Sequence, residues 1–485
     1  MKILILQLAR FGDIYMTWPV AQGLAAKFPG AQIDYLVRSR FVSALEGLEG
    51  IHQIHEFQTE KFFAPLFEPI PDIEQANQLL QQEIEKLQGR EYDWILNLTF
   101  SPVSSFLTNM IASENTKISG YTRFQDGYLK IPDDIYAYFY AQVGPGKSNR
   151  FHLVDLFMSI AELEAQVILP NLNKKESRDV LFHIGASQKH KSLSAAKWSS
   201  VIQKFSMIYE GRVLLIGAAS EKEISDQIMG SVCAGNVVSM VGETSLQELR
   251  HLIAHADLVV GADSAPMHIA ALEKTPFFNL SIGGQVQFFE TGPRSYYSYV
   301  LKLEDESEMG SDEISHLILN ALKGSDFGSE VFVFDPVDKT YYSSHTGAFI
   351  DFQWQLIRAI YLGEDFPPIE NVEILQGVRR LDQINKVMVE QFQAVAAGLA
   401  PAKIASIIDR GEQIIDAIVQ MVPELRPLTA WYQTEKSRLG PADVQDLVQR
   451  TLDIHFKLEK VLQLYMTTYQ EIFDMIGASH ESNKL

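Results

Sequence analysis

The side chains best suited to chemistry sit in Asp257-Leu-Val-Val-Gly-Ala-Asp263-Ser264-Ala265-Pro266-Met267-His268, where one apolar run stops at Gly261 and another begins at Pro266. That order reads as a buried strand, a tight turn and a helix start. Proline in the first helical turn costs no hydrogen bond, because the first N–H groups have no intrahelical partner. Those free donors, with the positive end of the helix dipole, suit an anion and above all a phosphate. Asp263 and His268 add a carboxylate and an imidazole beside it. On this segment alone, a capping Asp263 and a packed His268 are an equally good reading.

Three further segments carry reactive residue types. Arg10-Phe11-Gly12-Asp13-Ile14 follows an apolar run, so Asp13 stands where a helix begins. It is either an N-cap or a carboxylate at the strand edge able to act as general base. His183-Ile184-Gly185-Ala186-Ser187-Gln188-Lys189-His190-Lys191 runs from a strand into small residues and then a cationic cluster. Small residues allow close approach, and lysines neutralise phosphate oxygens as point charges. The alternative is a solvated basic loop. Glu221, four residues past Gly217, is placed either to accept bonds from ribose hydroxyls or simply to favour a helix start. No Gly-x-Gly-x-x-Gly follows the first strand, no Walker phosphate loop occurs, and no His and carboxylate cluster has metal-site spacing.

These segments need elements to hold them. Strand-like Lys2–Leu8, Gln32–Val37 and Tyr92–Leu98 alternate with helix-like Asp13–Phe28, Asp72–Leu87 and Ser101–Ala112. The pattern restarts at Asp179–Ile184 and runs through strands at Arg212–Gly217, Val237–Val241, Leu258–Val260 and Pro276–Ile282. Helices at Ala195–Tyr209, Glu221–Val232, Ser245–Ala256 and Pro266–Leu272 separate them. Alternation of this kind predicts two α/β, doubly wound, Rossmann-like halves with parallel sheets. The seam falls in the polar run Asn171–Arg178, and the site is expected in the cleft between the halves. The domains expected are 1–170, 171–330 and a C-terminal all-helical extension, 331–485. Phe332–His345 reads as irregular. Beyond it, Leu375–Leu399, Pro401–Val422 and Pro441–Ile476 read as bundle helices. Ile404, Ile408, Ile415, Ile418 and Val422 share one face, as do Ile454, Leu458, Val461, Tyr465, Ile472 and Ile476. That extension either caps the two α/β halves or joins subunits into a homo-oligomer.

With 485 residues, 46% hydrophobic and 21% charged, the chain is globular and large enough for two or three domains. Its net charge of −20 is spread along the length and argues against nucleic-acid partners and broad attachment to anionic membranes. No apolar run reaches the ~18–20 residues of a membrane span. The lone Cys233 excludes an intrachain disulfide and fits a cytoplasmic protein, with at most peripheral contact with a membrane.

Taken in order, the segments resemble glycosyltransferase family 9, the bacterial heptosyltransferases of lipopolysaccharide core assembly, over about residues 1–325. The carriers are Phe11-Gly12-Asp13 with Thr17-x-Pro19 and Phe28-Pro29, His183 through Lys191, Val241-Gly242-x-Thr-Ser-Leu246, and Gly261-x-Asp263-Ser264-x-Pro266-Met267-His268. The resemblance implies a GT-B fold and an inverting, metal-independent transferase without a cofactor. Its co-substrate would be a nucleotide sugar, by default ADP-heptose, and its acceptor a hydroxyl of a saccharide or lipopolysaccharide-type glycolipid. It implies that Asp13 is the catalytic base, that Lys191 and Ser187 hold the donor diphosphate, and that Glu221 holds the ribose. Asp263, with the backbone of Ser264, Ala265, Pro266 and Met267, would shape the donor site, supported by His268. Gly12 and Gly185 would be structural glycines. The family usually has Thr-Gly where this chain has Ser264-Ala265, Trp at Leu193 and Pro at Ile184. For an anionic acceptor, Arg38, Arg40, Arg123 and Arg150 are either a basic patch or scattered surface charges. A catalytically silent nucleotide-sugar-binding relative, its helical tail serving assembly, is the alternative; a nucleotide-sugar epimerase fits the motif order less well.

Overall fold

The computed structural model describes residues 1–164, 168–169, 178–186, 191–283, 288–325, 327, 330–343, 347–348 and 351–468. The chain divides into two units. The first comprises Met1–Thr122, Gly144–Gly146 and Arg150–Phe349; the second comprises Arg123–Val143, Lys147–Asn149 and Ile350–Leu485.

The first unit contains two sheets. Strands β1 (Lys2–Leu6), β2 (Gln32–Arg38), β3 (Gln53–Phe57), β4 (Trp94–Asn97) and β5 (Lys117–Ser119) form a wholly parallel sheet in the order β3-β2-β1-β4-β5. Helices α1 (Phe11–Lys27), α2 (Ile73–Gln88), α3 (Pro102–Ile111) and α4 (Leu153–Ile160) accompany it. Ile3, Leu4, Ile5 and Leu6 are fully buried in succession, as a strand covered on both faces requires.

The second sheet has β6 (Asp179–His183), β7 (Arg212–Ile216), β8 (Val237–Ser239), β9 (Leu258–Gly261), β10 (Phe277–Ile282) and β11 (Tyr299–Leu303) running parallel. Strands β12 (Val331–Asp335), β13 (Thr340–Ser343) and β14 (Gly347–Ala348) then add antiparallel. The order is β8-β7-β6-β9-β10-β11-β12-β13-β14. Helices α5 (Ala195–Ile208), α6 (Lys222–Ser231), α7 (Leu246–His255), α8 (Ala265–Leu272) and α9 (Ser311–Lys323) belong to this half. In both sheets the strand order reverses beside the first strand, and crevices beyond the carboxyl ends of strands open at such reversals.

The sequence reading differs from this structure at Phe332–His345, and again at Asp134–Gln142, which was expected within 1–170 and groups with the helical unit. Phe332–His345 was expected to be irregular, but Phe332 pairs with Ser343 and Asp335 with Thr340. The reason is packing: Tyr341 is buried among Phe288, Phe289 and Phe334, and its hydroxyl donates to the Pro293 carbonyl. The second sheet thus runs past residue 330.

The second unit is largely helical: α10 (Phe352–Leu362), α11 (Val372–Ala396), α12 (Ala405–Met421), α13 (Arg426–Ser437) and α14 (Val444–Thr468). Leu375, Val378, Ile415, Ile418, Tyr432, Leu458 and Tyr465 share its core. It also takes in the helix Asp134–Gln142, whose Gln142 amide donates to the Pro427 carbonyl at 2.9 Å. Of the expected apolar stripes, Ile404, Ile415, Ile418, Ile454 and Leu458 are buried, whereas Ile472 and Ile476 lie outside the described residues.

Candidate functional site

Asp13 lies in the first turn of α1, just beyond the carboxyl end of β1, and is half-buried. Its Oδ2 accepts the backbone N–H of Arg10 at 3.0 Å, which ties the carboxylate to the helix entry. The preceding Gly12 faces His268 on α8. A Cβ added at Gly12 would stand 2.7 Å from Cδ2 and 2.9 Å from Nε2 of that imidazole. Glycine is therefore what allows the start of α1 to meet α8, and so brings the first half's carboxylate to the second half's helix. His268 is 7% exposed. Burial pushes its pKa down to about 4, against the upward pull of the Asp13 carboxylate. The ring is neutral at pH 7 and so brings no positive charge of its own to Asp13.

On the second half, a line of polar groups crosses the carboxyl edge of the sheet. Ser264 is the N-cap of α8 in extended conformation, yet its side chain makes no capping bond. Its hydroxyl instead donates to the Ala262 carbonyl at 3.0 Å and lies 3.1 Å from His183 Nδ1. A hydroxyl has one proton to give, so the assigned pattern makes His183 Nδ1–H the donor to Ser264. Burial lowers the His183 pKa to about 4, keeping it neutral. Its Nε2 stands 3.9 Å from Oε2 of Glu221. Glu221 accepts the Ala218 N–H at 2.7 Å, and its carboxylate occupies the space where a side chain at Gly185 would go. Burial raises the Glu221 pKa, and the Ala218 bond opposes that shift. The line Glu221, His183, Ser264 thus joins the ends of β7, β6 and β9.

Asp263, between β9 and α8, has its pKa raised by burial. The charge of Lys191 and a hydrogen bond from Thr291 pull the other way. The Thr291 hydroxyl donates to its Oδ2 at 3.4 Å.

Three groupings of the expected site residues emerge: Gly12 and Asp13 with His268, Gly185 with Glu221, and Lys191 with Asp263. Ser187 lies outside the described residues. Met267 is buried, and its N–H donates to the Ser264 carbonyl at 3.1 Å, so that donor is used within the turn. Pro266 has no N–H to offer, and Ala265 is half-buried in the first turn. The departures at Ile184 and Leu193 are absorbed by packing, since both are buried with Trp198 in the second half's core. Of the four arginines, Arg38 and Arg40 both stand 4.8 Å from the Phe41 ring centroid. Arg150 is buried over the Phe289 ring instead, and Arg123, in the second unit, donates to the Gly127 carbonyl. His183 and Thr291 have no role assigned from the sequence. For His183 the usable signal was its place as the last strand residue before Gly185; Thr291 carries no local signal.

Among the described residues, no group of three or more His, Cys, Asp or Glu side chains is arranged to hold a metal ion. Among them, too, no helix is long and apolar enough to cross a membrane.

Residues 145–304 match the family described as glycosyltransferase family 9 (heptosyltransferase). The chain is 25% identical over 285 residues to lipopolysaccharide heptosyltransferase 3 of Escherichia coli, covering 56% of this chain and 80% of that protein. The protein of the same name from strain K12 is 26% identical over 281 residues, covering 56% and 79%. Among solved structures, the Escherichia coli heptosyltransferase WaaC with ADP aligns at a TM-score of 0.51 and 16% identity, covering 66% of this chain and all (100%) of that one. The glycosyl transferase family 9 protein of Veillonella parvula aligns at 0.50 and 15%, covering 67% and 97%. These structural likenesses speak for the fold, which is of GT-B type with a helical C-terminal region.

Proposed function

We propose, from the glycosyltransferase family 9 (heptosyltransferase) domain that this chain carries, that it is an inverting transferase moving heptose from ADP-heptose to a hydroxyl of a saccharide or glycolipid of the lipopolysaccharide type. The observation that carries the reading is the meeting of Gly12 with His268, which brings Asp13 next to the helix that begins at the Asp263-Ser264 turn. On this reading the carboxylate base stands beside a helix whose start stabilises an anion.

In this reading Asp13 removes the proton of the acceptor hydroxyl as that oxygen attacks the anomeric carbon. The bond from that carbon to the diphosphate breaks on the opposite side, and the electron pair leaves with the nucleoside diphosphate. Lys191 and the first turn of α8 take up the developing charge, as a positioned cation and helix dipole can. Glu221 receives the ribose hydroxyls, its carboxylate held over Gly185 at the β6 and β7 ends. His268, neutral, keeps the two halves in register without quenching the base. Ser187 belongs with Lys191 in the diphosphate grip by resemblance alone. The ADP preference is supported by the solved heptosyltransferase with ADP, a similar protein.

Product analysis tests the proposal. The chain is incubated with ADP-heptose, UDP-glucose or GDP-mannose and a heptose-deficient lipopolysaccharide core. The expected result is ADP release with one heptose added in the inverted anomeric configuration. Retention of configuration would remove the single-displacement step, and turnover of only the uridine or guanosine donors would remove the donor assignment.

A further inference from the structure

A half-open groove of about 1080 Å³ lies where the strands of the second sheet begin. Its size is at the upper end of the ~300–1,000 Å³ usual for small-molecule sites. Arg178 precedes β6, Gly211 precedes β7, Asp257 precedes β9 and Pro276 precedes β10, and all four line it. The Asp263-Ser264 turn lies at the other end of β9, the carboxyl end that such sheets use for their principal ligand. The groove is therefore separate from the donor site proposed above.

Its lining combines three kinds of group. Arg178, Lys274 and Lys323 are cations whose side chains make no hydrogen bond or ion pair among the described residues. Tyr296 and Tyr297 offer rings 5.8 Å apart and inclined at 59°, and Tyr297 is 56% exposed. Glu210 and Asp257 add carboxylates. Tyr209 lines the groove as well, its pKa pushed up to about 12 by burial and by the charges of Asp257 and Asp179, against the pull of Arg178. Its buried hydroxyl has no partner among the described residues and keeps a proton to donate.

Three of these side chains are held at a cost in backbone strain. Arg178, Lys274 and Tyr297 have φ of 53°, 57° and 59°, the left-handed region that favours glycine. Beside them, α9 ends in the ordinary way on Gly324 at φ 61°. Past the C-cap of α8 the chain has Lys274 where glycine would be unstrained. Strain of this kind gathers where side chains are needed for binding.

We propose that this groove binds a phosphorylated saccharide, its phosphate drawn to Arg178, Lys274 and Lys323 and its ring packed on Tyr296 and Tyr297, with hydroxyls donating to Glu210 and Asp257. The combination decides the class. A bare phosphate makes no use of the rings, and a neutral sugar makes none of the cations. The carboxylates accept from sugar hydroxyls and repel a chain of phosphates, which disfavours nucleoside polyphosphates. A free sugar phosphate and a phosphate-bearing oligosaccharide cut from a glycolipid offer the same chemistry.

The test is calorimetry on the full chain saturated with ADP, titrated with glucose 6-phosphate, glucose, inorganic phosphate and adenosine monophosphate. A charge-assisted bond added to ring packing is worth a factor of about ten or more, so glucose 6-phosphate should bind at least about tenfold tighter than glucose or phosphate. The phosphorylated oligosaccharide of deacylated lipopolysaccharide forms a second arm. Tighter binding of the oligosaccharide assigns the groove to a glycan, and tighter binding of glucose 6-phosphate assigns it to a free sugar phosphate. Lys274→Gly and Tyr297→Gly both suit the backbone, so each should keep or raise Tm. Lys274→Gly should nevertheless weaken the tighter ligand by about tenfold, and Tyr297→Gly should weaken it several-fold. Parent affinity in both variants overturns the proposal. So does binding of both phosphorylated saccharides no tighter than that of phosphate or adenosine monophosphate, or binding that appears only when ADP is left out.

Discussion

Replacing Gly12 by alanine adds one methyl group directly against the buried ring of His268. Gly12 is not in the left-handed region, so alanine suits its backbone, and in a helix that exchange alone is worth up to about 1 kcal/mol of added stability. Against this stands the collision. The new Cβ would be 2.7 and 2.9 Å from two atoms of His268, closer than carbon atoms pack. That ring is buried and cannot swing into solvent, so either the ring or the start of α1 must move. Overpacking of this kind costs about 1–3 kcal/mol, leaving a net loss of roughly 0–2 kcal/mol in urea unfolding followed by tryptophan fluorescence. The effect on transfer should be larger in proportion, because Asp13 is the next residue. A displacement of about 1 Å at a reacting group costs on the order of 100-fold in rate. Gly12→Ala combined with His268→Ala should recover part of the lost stability by making room for the methyl group. If Gly12→Ala is stabilised by the full helix-propensity gain and transfers at the parent rate, the two halves do not meet at this point.

Four further outcomes follow from the same geometry. Lys191→Ala should weaken ADP binding at least several-fold by calorimetry; unchanged affinity would remove Lys191 from the diphosphate site. Gly185→Ala should displace the Glu221 carboxylate and raise the Kd for ADP, while Glu221→Ala combined with it should add little further, since both act on one contact. The histidines give a pH dependence whose sign is fixed: His183 and His268 fall from 6.5 to about 4 on folding, so the unfolded chain binds more protons between those values. Their contribution is complete above about pH 6.5 and is lost as pH falls toward 4, by up to about 3 kcal/mol each; His268→Gln should reduce that slope in urea melts taken across the range. Ending the chain at 330 removes β12–β14 and uncovers Phe288 and Phe289, so it should melt well below a chain ended at 349, as differential scanning calorimetry would register.

Much of the first unit was legible in the sequence because its strands are buried on both faces and its helices are punctuated. Ile3 to Leu6 and Leu258 to Val260 are continuous apolar runs, and Pro29-Gly30 stops α1 where a stop was expected. What escaped was short or depended on distant partners. Strand β3 places polar Gln53, His55 and Glu56 at an edge, and β5 spans only Lys117–Ser119, so neither shows an apolar run. The helix Asp134–Gln142 reads as part of the first half by position. It groups with the helical unit because its buried Tyr136, Tyr138 and Gln142 find partners there, such as Tyr361 beside Tyr138. At the site, the segments carrying Asp13, Glu221 and Asp263 were visible from glycines and strand ends. The way His183 links Ser264 and Glu221 was not, because it joins residues 81 positions apart on one side and 38 on the other. Asp34 marks another limit: burial would raise its pKa, yet His55, His52, Tyr92 and Arg90 hydrogen-bond it and hold it below the ordinary carboxylate value. No local pattern announces that convergence.

The central claim is that Asp13 is the base of a sugar transfer whose leaving diphosphate is held on the opposite half. The direct measurement compares Asp13→Asn with the parent chain in two assays on one preparation: heptose transfer from ADP-heptose, and ADP binding by calorimetry. The amide nearly preserves shape and still offers an oxygen to the Arg10 N–H, but it cannot take a proton. Transfer should fall by about 10²–10⁴-fold, the usual contribution of a general base, with ADP affinity unchanged. Transfer at the parent rate by Asp13→Asn would contradict the account.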